Sequence, residues 1–186
     1  MKTKTLILAA AALFAAGQPA LAGCGDNSGP GVDWSECDKK NKIMSGNDFS
    51  NGTFVSTNFG ATDLSDTKFG GANLQKVNLG RTLLRSADFT SADLSKAEAV
   101  RANFEKSNFA GATLSKGEFN RANFSSANLA GVNMSKAEFS RAKFDDADLT
   151  SANFHFANVS RASFHGAKLD GVQLDGAYTF LTQIEG

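Results

Sequence analysis

The sequence predicts an all-β solenoid, a coil with four five-residue sides per turn, and three observations carry that expectation. Every fifth residue from Phe49 to Leu174 is Phe, Leu or an apolar stand-in. These make 26 units, 13 centred on Phe, 10 on Leu and the others on Ala99, Met134 and Val159. The residue two before each centre is usually Ala. Residues 20 apart also resemble each other: SKAEAVRANFEKSNFAGATL from Ser95 is followed by SKGEFNRANFSSANLAGVNM from Ser115 and SKAEFSRAKFDDADLTSANF from Ser135.

A period of five fits neither the 3.6-residue helix nor the two-residue flat strand, so the backbone has to turn once in every unit. In Ser151-Ala152-Asn153-Phe154-His155, extended geometry points Ala152 and Phe154 the same way and Asn153 outward. For Val159 to point inward as well, the chain bends by a quarter turn, and four such bends close a square. Arg81, Arg101, Arg121, Arg141 and Arg161 then stack into one column, Lys76, Lys96, Lys116 and Lys136 into another, and Glu98, Glu118 and Glu138 into a third. Twenty-six units at four per turn make 6.5 coils. At a spacing of about 4.8 Å they form a rod roughly 31 Å long.

The order along the chain is a leader over 1–22, an N-terminal cap over 23–43, the coil over 44–177 and a C-terminal cap over 178–186. Lys2 and Lys4 precede an apolar run, Leu6 to Ala16, that is too short to span a bilayer and is broken by Gly17, Gln18 and Pro19 ahead of Ala20-Leu21-Ala22. This reads as an export signal cut after Ala22. Removing its two lysines from a balance of 19 basic and 19 acidic side chains leaves a net charge of −2. That value points neither to nucleic acid nor to a strongly anionic mimic. In the N-terminal cap Gly29-Pro30-Gly31 and Trp34 lie between the two cysteines, with Trp34 the expected lid. Beyond Leu174 the apolar register fails at Thr179, and Tyr178, Phe180, Leu181 and Ile184 are expected to cover the last coil or to pair it with a second copy.

Cys24 and Cys37 admit two readings. An exported chain meets an oxidising compartment, where a disulfide closing this loop is reasonable. Leu21-Ala22-Gly23-Cys24 also resembles the lipobox of bacterial lipoproteins, in which the cysteine sulfur carries a lipid anchor to the envelope. Both remain open on the sequence.

Ala87-Asp88-Phe89, Ala92-Asp93-Leu94, Ala127-Asn128-Leu129 and Ala147-Asp148-Leu149 resemble the pentapeptide repeat family, whose motif is Ala-(Asp/Asn)-Leu-x-x. The likeness extends over about 130 residues. It implies a right-handed quadrilateral β-helix, C-terminal pairing in some members and, in the quinolone-resistance members, mimicry of duplex DNA toward gyrase. An export signal, near-neutral charge and an arginine column set this chain apart from those mimics.

Chemistry-bearing groups are few. Each Glu of the 98, 118, 138 column lies between a Lys and an Arg in sequence, and a compensated ion-pair pattern is the first expectation for this surface. The functional expectation is a positive stripe, Arg81, Arg101, Arg121, Arg141 and Arg161 with Lys76 nearby, facing an anionic surface polymer or an acidic protein. His155 and His165 are ten residues apart, two sides of the square, so they face opposite ways and cannot share one metal ion. Asp48, Asp63, Asp88, Asp93 and Asp148 fill the polar position before a core residue, where Asn serves equally, and Asp145 and Asp146 have no basic or nucleophilic partner in view. Leu83 and Phe156 are isolated outward apolar residues. A filled prism offers no concavity for catalysis. The expectation is therefore an exported scaffold or binding module, with no enzymatic activity, no cofactor, no metal, no nucleic acid and no membrane span, acting in the periplasm or outside the cell.

Overall fold

A computed structural model of the chain describes residues 23–183. The leader and Ile184 lie outside them. Parallel bridges join residues 20 apart in one unbroken register, from Asp33 with Thr53 to Ser163 with Gln183. Each side contributes a single bridging residue, and no longer strand or helix forms among the described residues.

The unit around Phe89 shows why five residues close a side. Phe89 and Ser91 donate their backbone N–H groups to Asn108 and Ala110 of the next coil, at 2.7 and 2.9 Å. Asp93 donates back to Ala72 at 3.0 Å, and Ala92 closes the corner on Phe89 at 2.9 Å. The remaining donor, Thr90, is accepted by the Asp88 side chain at 3.0 Å. Five donors therefore find five acceptors, which buried backbone requires. The Asx side chain supplies the acceptor that the coil ladder lacks, and for that reason Asn and Asp both serve there. Hydrogen bonds from Ser50 to Asp48 and from Thr150 to Asp148 hold those carboxyls below their ordinary range.

The quarter turn falls on the residue two after each centre, which adopts the left-handed region, for example Ser91 at φ 58° and Arg101 at φ 60°. No Val, Ile or Thr takes that position with positive φ, because a branched Cβ is least tolerated there. The centres from Phe49 to Phe164 are buried, while Leu169 is partly covered and Leu174 exposed. Burying a Phe or Leu completely is worth about 1.5–3 kcal/mol, and rings one coil apart add face-to-face stacking. Phe69, Phe89 and Phe109 form one such stack, with centroids 5.3 and 4.8 Å apart, and Phe104, Phe124, Phe144 and Phe164 form another. Where the small inward position holds a hydroxyl it is satisfied: Thr57 donates to the Trp34 carbonyl and Ser107 to the Leu84 carbonyl.

Both ends depart from expectation. The coil does not begin at residue 44, since Asp33, Asp38 and Ile43 already bridge to the following coil. Trp34 is therefore a core centre, packed on Phe49, Phe54 and Phe59, and not a lid. The cover is built from Lys39, whose ammonium lies 3.6 Å from the centroid of the indole and donates to the Cys24 carbonyl at 2.7 Å. The Cys24–Cys37 disulfide ties that segment down. At the other end the ladder runs on through Tyr178 and Gln183, so register does not fail at Thr179, which takes a centre position despite its hydroxyl. Tyr178, Phe180 and Leu181 are each more than half exposed. They point outward and leave a depression of about 130 Å³ among Phe164, Leu169, Val172 and Leu174.

Candidate anion-binding face

The arginine column stands on one corner of the prism. Arg81, Arg101, Arg121, Arg141 and Arg161 all occupy the left-handed turn position, with φ between 58° and 61°. That conformation places each side chain beyond the bridged backbone, one coil above the last. Five arginines at about 4.8 Å per coil extend over about 19 Å.

Beside them runs a shallow groove in two stretches, of about 620 and 630 Å³, which meet at Asn120 and Arg121. Its N-terminal stretch has Gly60 and Gly80 as a floor and Asn58 and Asn78 as the opposite wall. A Cβ on either glycine would sit within 3.2 Å of the neighbouring amide oxygen, so the missing side chain keeps those amides reachable. Asn58 and Asn78 spend their Oδ1 atoms on the turn N–H groups of Gly60 and Gly80, at 3.0 and 2.9 Å. Their Nδ2 donors have no partner among the described residues. In the C-terminal stretch Ser140, Ser160, Tyr178 and Phe180 take over.

The ion-pair pattern expected from the Lys-x-Glu-x-x-Arg spacing does not form. None of the five arginines lies within 4.0 Å of a carboxylate among the described residues. Glu138 instead accepts from the Asn158 amide at 2.8 Å. Neighbours in sequence are carried apart because the bridging residue and the corner residue leave the backbone in different directions. The glutamates temper the field of the corner without neutralising any one arginine. Lys76 stands on the preceding corner, one side away, and does not line the groove.

His155 lies 3.7 Å from the Asp175 carboxylate and edges against Phe156, two sides away from His165. No group of three or more His, Cys, Asp or Glu side chains is disposed to hold a metal ion among the described residues. No helix of the described residues is long and apolar enough to cross a membrane. The amide wall and the glycine floor are not singled out from the sequence, where Tyr178 and Phe180 read as cover for the last coil or a pairing surface. Their signal is the 20-residue recurrence of Asn58 with Asn78 and of Gly60 with Gly80.

A square coil with 20-residue register defines a β-solenoid, and comparison with known families makes this specific. Models described as pentapeptide repeats match residues 43–81 and 62–98, and one described as a pentapeptide repeat region matches 97–174. The chain belongs to the pentapeptide repeat family. No curated protein matches it. Among solved structures, it is similar to HetL, a pentapeptide repeat protein involved in heterocyst differentiation regulation from the cyanobacterium Nostoc sp. strain PCC 7120. That match has 24% identity over 83% of this chain and 92% of HetL, with a TM-score of 0.38. It is also similar to trypsin-treated QnrB1, a plasmid-mediated fluoroquinolone resistance protein, at 19% identity over 77% and 89% of the two chains and a TM-score of 0.33. A thylakoid-lumen pentapeptide repeat protein from Arabidopsis thaliana shares 27% identity over 48% and 59%, with a TM-score of 0.24.

Proposed function

We propose that this chain is an exported, non-enzymatic binding scaffold whose right-handed quadrilateral rod presents the Arg81–Arg161 corner to an anionic partner. The observation that carries this reading is the stack of five arginines without an ion pair among the described residues. Like charges one coil apart repel, at a cost of roughly 0.2–1 kcal/mol per pair. A column that keeps this cost has a ready use in recognising negative charge. The sign of the corner is opposite to that of a duplex-mimicking gyrase binder. Cys24 has its sulfur engaged with Cys37, which favours an untethered exported form over a lipid-anchored one. The apolar end among Phe164, Leu169, Val172 and Leu174, with exposed Leu181, suits contact with a second copy of the chain, while Tyr178 and Phe180 open onto the groove.

Retention on a heparin matrix tests the corner. The wild-type chain is expected to be held and released by salt, and Arg101→Glu/Arg121→Glu to flow through. Equal retention of the two proteins would remove the arginine face from the function.

A further inference from the structure

We infer that the groove beside the arginine corner is a binding site for an acidic polysaccharide, a 1,4-linked chain carrying about one carboxylate per sugar ring. The inference rests on the anion-binding reading above and narrows it to one chemistry. Three features of the groove select it.

The first is spacing. Arginines recur once per coil, about every 4.8 Å. Phosphates of one B-DNA strand rise about 3.4 Å each along the helix axis while winding around it, so a duplex strand turns away from a straight column of this spacing. A 1,4-linked pyranose chain advances per ring by a distance close to one coil. Whether consecutive or alternate rings turn their carboxylates to the corner, the repeat stays a whole number of coils, and each carboxylate can meet a guanidinium fork.

The second is the opposite wall. Asn58 and Asn78 offer unpartnered Nδ2 donors beside the Gly60–Gly80 floor; their column runs on through Glu98, Glu118, Glu138 and Asn158, and the floor through Val100, Asn120, Ser140 and Ser160. With their Oδ1 atoms engaged these amides offer donors, which suit the ring and hydroxyl oxygens of a sugar, and the Ser140 hydroxyl can donate or accept beside them. Glu98, Glu118 and Glu138 along the same side disfavour a polymer of very high charge density and accept from hydroxyls. The third is the C-terminal end of the groove. Tyr178 and Phe180, 63% and 56% exposed, offer aromatic faces on which the apolar face of a pyranose can lie.

Calorimetric titration of the full chain tests this with β-1,4-linked oligoglucuronates of increasing length. The neutral controls are cello-oligosaccharides of equal length, which share the linkage and lack the carboxylates. Affinity for the uronates is expected to rise with length until about five rings span the column, some 19 Å, and then to level off. Neutral oligomers should bind at least tenfold more weakly. Arg101→Gln/Arg121→Gln should lower uronate affinity tenfold or more without lowering the melting temperature, and Tyr178→Ala/Phe180→Ala severalfold. The wild-type length and charge series needs no variant, so it decides even where a variant fails to fold. Equal binding of neutral and acidic oligomers would overturn the inference. So would binding of polyphosphate or dextran sulfate, sensitive to Arg101→Gln/Arg121→Gln, with no uronate binding. That last outcome would leave the anion-binding corner standing, whereas silence toward every polyanion would remove both.

Discussion

The two ends of the rod solve the same problem in opposite ways. An open coil exposes apolar side chains and unpaired backbone at each terminus. At the N-terminal end the core is sealed: Trp34 is 2% exposed, Lys39 lies across its face, and the disulfide closes the loop above. At the C-terminal end the described residues leave Leu174 at 40% exposure over a depression that reaches Phe164, while Tyr178, Phe180 and Leu181 turn outward. The N-terminal end is covered, and the C-terminal end leaves apolar side chains open among the described residues. A solenoid grows by adding coils, so an asymmetry of this kind concentrates core burial at one terminus and leaves apolar surface at the other among the described residues.

The same kind of truncation should therefore have unequal consequences. Phe69→Ala, inside the sealed half between Phe49 and Phe89, is expected to cost about 3–5 kcal/mol, since the stack cannot collapse around the void. Leu174→Ala at the open end should cost about 1–2 kcal/mol, because 40% of its surface is already in water. Urea denaturation of both variants measures the contrast. Equal losses would mean that the open end is covered in solution.

Next in size is the disulfide. Its loop has a sequence separation of 13, for which chain-entropy estimates give about 3 kcal/mol. Reduction, or Cys37→Ser, should lower the urea midpoint accordingly and shift the emission of Trp34, the only tryptophan, to the red. A stability loss without that shift would locate the effect away from the N-terminal end.

The smallest effect concerns Lys39. Burial chiefly, with help from the nearby charge of Lys42, pushes its ammonium below the ordinary lysine value of 10.5. The unfolded chain then holds more protons than the folded one between the lowered value and 10.5. Stability from this group consequently rises across that window and is lowest below it. Compared with Lys39→Met, the wild type should gain relative stability as the pH climbs toward 10.5, read from urea midpoints at a series of pH values. A constant difference would mean that Lys39 is as well solvated as any surface lysine.

The square section and its columns were legible in the sequence because an inward centre every five residues and likeness every twenty leave few alternatives. The ends were misjudged for a physical reason. Lys39, Asn47 and Thr179 interrupt the apolar signal, but the coil is propagated by backbone bridges, which any residue can make, so register outruns hydropathy at both termini. Tyr178 and Phe180 looked like a cap because they are aromatic, yet the continued register fixes them at outward positions. The arginine column is legible in the 20-residue recurrence, but its surroundings are not. Adjacency in Lys96-Ala97-Glu98 and Arg101 suggested ion pairs that the left-handed corner keeps apart, and the amide wall drew no notice because Asn58 and Asn78 also serve as ordinary turn residues.

The bridge register has a consequence for how such a chain can change length. Deleting one residue would move every later core side chain off its inward position and bring polar neighbours in, unless a local bulge absorbs the step. Deleting five keeps the interior filled but rotates everything downstream by a quarter turn, so that later arginines leave their corner. Only a loss or gain of twenty residues is silent for both the interior and the surface pattern, which makes one full winding the natural increment by which this rod lengthens.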